Sequence, residues 1–576
     1  RQLLDENKLD EDGKLLRTFA MPQPDQADLA FDIQLVHDNP DLWLKFHEYC
    51  RRDAVLARRI YVEWASEPGL HRREMMFAQV TQQMNATGWP VDVDAARAML
   101  DRYRRNLEEI EETFAEKVDP DLNLASHTQV SRWCADRGVT SRSFDKQHVD
   151  KLIAKLKNRP TLTINQVQVL QMLYTKRELG GTSPKKLETI LDTQHKGRLY
   201  DQYVHAGAAQ TLRTSGRSVQ MQNLPRLGAT IRDMSSLDDE AVDWTNDKLS
   251  ENLRQLFRAS HPQGELVVAD YASIESRALA WLANEDWKLD AYRQGQDVYK
   301  MQAVKIFSLP SPDVVDKSQR QTGKVGELSC GYGAGPGAVK DFAEKMGVLM
   351  SEGEAKRLVY DWRDANPRTV ALWHRVHDAL VALMTTPVTT THAPLNDGSY
   401  DLAFSKVGTP KSLLRQAEAD GLEVSSVQMS LVDGKTGQVI LQRMFHGCYL
   451  RGNNIAFYKP SALKTGDPWK MRYVDPKTGL NRRYELYGGK LVGILTQSLC
   501  RELFFRDLLS FSNILSAYDN VRLIGQFHDE IVVEWEPGAL SLKRLHDIMR
   551  DKMSQSQLLP DLPMAVEVKH AHRYIK

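Results

Sequence analysis

The sequence predicts an α+β protein of several domains, and three observations carry that expectation. Amphipathic helical patterns fill 71–118 and much of 122–200. Two apolar, β-prone runs, Leu266–Ala269 and Val521–Ile524, lie just upstream of aspartates, Asp270 and Asp529. At 576 residues and 65.6 kDa the chain is too long for one compact domain.

The elements follow in chain order. The stretch from Leu42 to Leu56 is helical and sets Tyr49 and Asp53 one turn apart. Long helices over 71–118 are broken at Gly88-Trp89-Pro90. The block 122–200 alternates helices with polar turns. The segment from Thr211 to Pro225 holds Arg213, Arg217, Gln222 and Asn223 in a polar, irregular stretch.

Arg320, Lys324, Leu328 and Tyr332 recur every four residues and so line one face of a helix, which Gly331 to Gly337 should stop. Gly323 and Gly326 inside it each cost about 1 kcal/mol relative to alanine. A helix that swings between two positions would tolerate them. Residues 392–447 match no motif, contain a turn signal at Asp397-Gly398, and are expected to be an exposed elaboration. The run from Val521 to Glu534 reads as a hairpin turning at His528-Asp529-Glu530.

Composition is that of an ordinary soluble protein, 42% hydrophobic and 26% charged, and no apolar run approaches the length needed to span a bilayer. The start is no signal peptide, and the missing Met suggests a truncated or processed chain. Five scattered cysteines without a Cys-x-x-Cys pair argue against a zinc ribbon or disulfide framework and suit a reducing cytoplasm. Net charge is zero, with 76 basic and 76 acidic residues, which argues at first against a nucleic-acid partner. The distribution answers this: residues 142–198 carry 12 Lys/Arg against 5 Asp/Glu, whereas residues 1–50 carry 5 against 11.

Two strand-borne aspartates brought together can hold a pair of Mg²⁺ ions roughly 4 Å apart, the clamp used for in-line phosphoryl transfer. With the cationic helix they make a nucleotidyl-transfer site. The segments around Asp270, Arg320–Gly333 and Gln526–Glu530, in this order, resemble motifs A, B and C of the family A (DNA polymerase I-like) DNA polymerases, in particular the bacteriophage branch. The likeness covers nearly the whole chain and includes Tyr487-Gly-Gly-Lys490.

That resemblance implies a right-hand architecture with an antiparallel palm sheet and helical fingers and thumb. It divides the chain into an exonuclease-domain remnant (1–70), thumb (71–205), first palm part (206–285), fingers (286–375) and second palm part (376–576, with the 392–447 insertion). It implies a primer–template DNA and dNTP substrate, two Mg²⁺ ions for which Mn²⁺ can substitute, a monomer, and the host cytoplasm. Asp270, Asp529 and the Tyr271 carbonyl are the implied metal ligands, with Glu530 in support. Arg320, Lys324 and Tyr299 would face the triphosphate. Glu275 and Tyr332 would gate the ribose 2′ position, and Leu328 stands where relatives carry Phe or Tyr. Arg213, Arg217, Gln222, Asn223, Gln497 and His528 would meet the DNA.

Two departures stand out. Relatives usually have Thr-Gly-Arg where this chain has Ser215-Gly216-Arg217, and Glu-Asn where it has Gly493-Ile494. Residues 1–48 contain no Asp-x-Glu, so Tyr49 and Asp53 are expected to be a remnant without proofreading activity. A non-catalytic replication protein on a decayed scaffold is disfavoured by the intact Asp270, Asp529, Arg320 and Lys324. An RNA polymerase of the same superfamily is disfavoured by Glu275.

Overall fold

The computed structural model describes residues 40–575 apart from 65–67, 226–232, 452–453, 458–483, most of 410–422 and the single positions 182, 209, 240 and 557. Most of the expected remnant 1–70 lies outside the described residues. The chain divides into two units, Arg1–Gln79 and Val80–Lys576. In the first, helix α1 (Pro40–Trp64) carries Tyr49 and Asp53. Helix α2 spans Pro68–Thr87.

The break at Gly88 is a left-handed residue, φ +68°, from which Trp89-Pro90 (β1) pairs with Arg198-Leu199 (β2). Helix α3 (Val93–Lys117) starts where Asp92 accepts a hydrogen bond from the Ala95 amide. Side-chain caps at Ser126, Asp145 and Thr163 likewise start α4 (His127–Asp136), α5 (Lys146–Lys157) and α6 (Ile164–Leu179). These helices share a core of their own, with Phe114, Val130, Trp133, Val149 and Leu173 buried in it. Helix α7 (Ser183–Thr193) packs on α3. A short pair, β3 (Tyr203–Val204) and β4 (Ser215–Gly216), and helix α8 (Asn246–Asn252) lead to the sheet that matters most.

Strand β5 (Glu265–Tyr271) opens it. There follow α9 (Ile274–Ala283), α10 (Asp286–Arg293), α11 (Val298–Phe307), α12 (Lys317–Cys330), α13 (Pro336–Lys345), α14 (Glu352–Ala365) and α15 (Pro367–Thr385). Strands β6 (Thr390–Leu395), β7 (Tyr400–Val407), β8 (Ser425–Asp433), β9 (Val439–Arg451), β10 (Asn454–Phe457) and β11 (Tyr484–Leu486) precede the long helix α16 (Gly488–Leu515). Strands β12 (Val521–Phe527) and β13 (Glu530–Trp535), helix α17 (Leu542–Ser554) and β14 (Val566–Ala571) complete the described chain.

The strands at 265–271, 521–535 and 566–571 form one antiparallel sheet in the order β12-β13-β5-β14. Its inner strands are largely buried, with α17 packed on β5 and β14 and α16 on β12.

The expectation of an exposed elaboration at 392–447 is corrected. The described strands of that segment belong to a six-stranded antiparallel sheet in the order β6 to β11. Phe404, Val427, Met429 and Leu441 have no accessible surface, and the sheet packs on α15 and α16. Alternation is blurred in the sequence because β8 buries residues on both faces.

The helix over Arg320–Tyr332 is also shorter than its period suggested. It ends at Cys330, and Tyr332 lies in the following turn, where Gly333 takes φ +79°.

Candidate active site

Strand register brings the two aspartates to one end of the palm-like sheet. Asp270 pairs with Glu530 across β5 and β13, and Phe527 pairs with Glu530 across β12 and β13. The loop between them is therefore His528-Asp529 alone, with His528 left-handed at φ +56°. The Tyr271 amide donates to the Asp529 carbonyl at 3.1 Å, fixing the loop against the end of β5. Trp89 braces the hairpin from behind, stacked on Phe527 at 5.4 Å and donating to Tyr203 Oη at 2.8 Å. Gly525 admits that indole, since a Cβ there would meet the Trp89 ring and Tyr203 Oη.

Asp270 and Asp529 are partly accessible, whereas Glu530 is buried. The Glu530 carboxylate accepts a hydrogen bond from Tyr574 Oη beneath the loop. Tyr271 points the other way: its ring is buried and its hydroxyl donates to Asp507 on α16. Burial pushes the Asp507 carboxyl up to about 7.

An all-oxygen carboxylate pair suits a hard divalent cation. Among the described residues no group of three or more His, Cys, Asp or Glu side chains converges, so the aspartates would share a metal with oxygens of other kinds, such as a backbone carbonyl, water or phosphate. Mg²⁺ binds in that way.

Glu275 sits in the first turn of α9 and is the hub of a second cluster. Arg213 Nη2 donates to its Oε1 at 2.5 Å, Tyr332 Oη to its Oε2 at 2.9 Å, and Gln497 Nε2 approaches Oε2 at 3.5 Å. Burial works to raise the Glu275 pKa, but the Arg213 charge and these hydrogen bonds hold it below the usual carboxylate range. His528 is exposed, yet desolvation and then the Arg213 charge lower its pKa.

Arg213, Glu275, Tyr332 and Gln497 are thus brought together. Gln222, Arg213, Gln526 and His528 line a small cavity beside them. Arg217 and Asn223 are not part of the cluster; both are exposed, and Asn223 bonds Gln220. The left-handed residue that a Thr-Gly-Arg glycine would favour is Leu212, at φ +55°, and Gly216 has no such backbone. Thr211-Leu212-Arg213 therefore matches that pattern better than the expected Ser215-Gly216-Arg217.

Helix α12 starts at a capping box made by Asp316 and Gln319. Arg320 donates Nε to Asp297 at 2.7 Å, and Asp297 also caps α11. The Arg320 guanidinium and the Lys324 ammonium lie 5.4 and 5.8 Å from the Tyr299 ring centroid. Leu328 is exposed farther along the helix. The glycines are packing residues rather than marks of a swinging helix: a Cβ on Gly323 would collide with the Tyr299 carbonyl, and one on Gly326 would press on Leu358 and Trp362 at 3.3 Å.

The first turn of α16 meets the turn after α12 through further glycines. A Cβ on Gly488 would collide with the Trp373 carbonyl, and one on Gly489 would stand 2.5 Å from the Tyr332 carbonyl. Gly493, where a Glu was expected from relatives, lies under the Tyr332 ring, 3.2 Å from its Cγ to a built Cβ.

A model of DNA polymerase family A matches residues 93–390, just over half of the chain. The chain belongs to DNA polymerase family A. This polymerase is 27% identical to the DNA polymerase of Bacillus phage SP02, over 96% of its own length and 79% of the phage protein. It is 25% identical to DNA polymerase I of Chloroflexus aurantiacus over 52% of its length, but spans only 30% of that protein. The fold is similar to the POL domain of Pol1 from M. smegmatis, solved in complex with DNA primer-template and dNTP. The TM-score is 0.57 at 17% identity, covering 98% of the polymerase and 78% of that chain. Membership in this family makes the protein a DNA-directed DNA polymerase of a divalent-metal-dependent class, and no helix among its described residues is long and apolar enough to cross a membrane.

Asp297, Asp507, Tyr574 and Arg501 were missed by sequence reasoning. Only Asp297 left a signal, as the cap before an amphipathic run.

Proposed function

We propose that the Asp270/Asp529 end of the sheet extends a primer 3′-hydroxyl on a template strand with dNTPs, using two Mg²⁺ ions. The observation that carries this reading is the register of β5 with β13, together with the bond from the Tyr271 amide to Asp529, which sets both aspartates at one strand end. Asp270, Asp529 and the Tyr271 carbonyl are the proposed ligands. The chemistry supplied by bound divalent ions is activation of the hydroxyl and neutralisation of developing phosphate charge.

The chain's own groups do the rest. Arg320 and Lys324 receive the triphosphate, with Arg320 already oriented by Asp297. Tyr299 lies between them to add a hydroxyl. The 3′-oxygen attacks the α-phosphorus, the bond to the bridging oxygen breaks, and pyrophosphate leaves. Glu275, held by Arg213 and Tyr332, fills the space a ribose 2′-hydroxyl would need. Arg213, Gln222, Gln497 and His528 face the primer terminus, and the helical segment 71–205 serves as thumb, 286–375 as fingers, and 206–285 with 376–576 as palm.

The test is single-turnover primer extension by Asp270→Ala and Asp529→Ala beside a duplex-binding measurement. Extension should fall at least a thousandfold while primer–template affinity changes less than about threefold. Extension at the wild-type rate in either variant refutes the assignment.

A further inference from the structure

The six-stranded sheet reaches the proposed nucleotide gate through one buried arginine. Arg443 lies on β9 with its side chain 5% accessible. Its Nε donates to Ser498 Oγ on α16 at 3.0 Å, and its Nη2 donates to the Thr211 carbonyl at 3.3 Å. The same Nη2 lies 3.7 Å from Glu502 Oε1, which also accepts from Arg501 Nη1 at 3.0 Å. Arg501 Nε in turn donates to the Leu212 carbonyl at 3.1 Å. Two guanidinium groups that share one buried carboxylate thus hold the successive carbonyls of Thr211 and Leu212.

The next residue is Arg213, whose Nη2 bonds Glu275. Leu212 between them has φ +55°, a conformation that a residue with a β-carbon resists. Backbone bonds from the Leu212 amide to the Ala208 carbonyl at 2.7 Å and from the Ala208 amide to the Arg213 carbonyl at 3.0 Å close the turn, and the two arginines fasten it to β9 and α16.

We propose that Arg443 is a positioning residue for sugar discrimination: by gripping Thr211 it keeps Arg213 on Glu275, which makes the sheet from β6 to β11 part of the selectivity device. This rests on the reading of Glu275 as the gate. Removing the guanidinium releases the 211–212 turn, and Arg213 no longer fixes the Glu275 carboxylate against the incoming sugar. A loosened gate excludes a ribose 2′-hydroxyl less strictly, so the ribonucleotide gains relative to the deoxynucleotide.

Single-nucleotide insertion kinetics with dNTP and the matching rNTP decide it, on wild type, Arg443→Gln, Arg443→Lys, Phe404→Leu and Glu275→Ala. Arg443→Gln should lower the deoxy-to-ribo ratio of kcat/KM on the order of tenfold. Arg443→Lys, which keeps a charge and a donor, should recover at least half of that loss on a logarithmic scale, and carries the test if the Gln variant does not fold. Phe404→Leu weakens the same sheet in its core, without a bond to 211–213, and should leave the ratio unchanged. An unchanged ratio in both Arg443 variants, or an equal fall in Phe404→Leu, overturns the proposal while leaving the gate intact. An unchanged ratio in Glu275→Ala removes the gate reading itself and this proposal with it.

Discussion

Lys288 Nζ lies 2.9 Å from Oε1 and 2.8 Å from Oε2 of Glu327, with both side chains at most 2% accessible. Glu327 is buried on α12, two turns along from Arg320, and Lys288 is on α10. Ser276 donates to the same carboxylate from α9, one residue beyond Glu275. The Glu327 carboxylate therefore ties α12 to both α9 and α10.

Glu327→Gln or Lys288→Met leaves a buried charge without its counter-ion, and either should cost about 3–5 kcal/mol of unfolding free energy. Lys288→Met combined with Glu327→Gln should cost less than the sum of the single changes. Urea denaturation of the four proteins measures the coupling, and additive losses would mean the two groups do not interact.

Gly323→Ala puts a methyl group into the Tyr299 carbonyl and must part α11 from α12. The helix-propensity gain of roughly 1 kcal/mol for alanine is outweighed by that overpacking, about 1–3 kcal/mol. A lower melting temperature with a raised KM for dNTP is expected, since Arg320 is anchored on Asp297 of α11's cap. A stabilised protein would show that the two helices do not pack this closely.

Asp507 gives a pH signature. Its folded carboxyl is raised to about 7, while an aspartate in the unfolded chain titrates near 3.8. The folded state therefore holds the proton more tightly, and the stability this gives is complete below pH 4 and lost as pH rises through 7. Asp507→Asn should accordingly gain on wild type as pH climbs from 4 to 8, by on the order of 3 kcal/mol. Melting temperatures of both proteins across that range test it; parallel curves would exclude the raised carboxyl.

Leu328 offers an incoming sugar neither a ring nor a hydroxyl. Leu328→Tyr is expected to raise dideoxynucleotide incorporation relative to deoxynucleotide by at least about tenfold. Competitive insertion with ddNTP measures it, and equal termination by both proteins refutes a role for this position.

Local patterns carried much of the fold into the sequence. The four-residue period of Arg320 to Leu328 and the apolar runs flanking His528-Asp529 are fixed by neighbours in the chain, so both were legible. The arginine that meets Glu275 was not, because Ser215-Gly216-Arg217 looks more like the expected pattern than Thr211-Leu212-Arg213 does. Only the backbone angle at Leu212 and the distance to Glu275 distinguish them. The sheet from Thr390 to Leu486 was illegible for another reason: its strand β8 buries residues on both faces, so the period of two is lost there.

The glycine contact between the Tyr332-Gly333 turn and the start of α16 bears on how such enzymes can be recombined. Gly488 and Gly489 are shaped to the backbone of Trp373 and Tyr332, so neither segment is a free-standing cassette. A chimera that imports a fingers segment from another polymerase should accept it only with a matching first turn of α16. Side chains at those two positions would otherwise wedge the transplanted module away from its host.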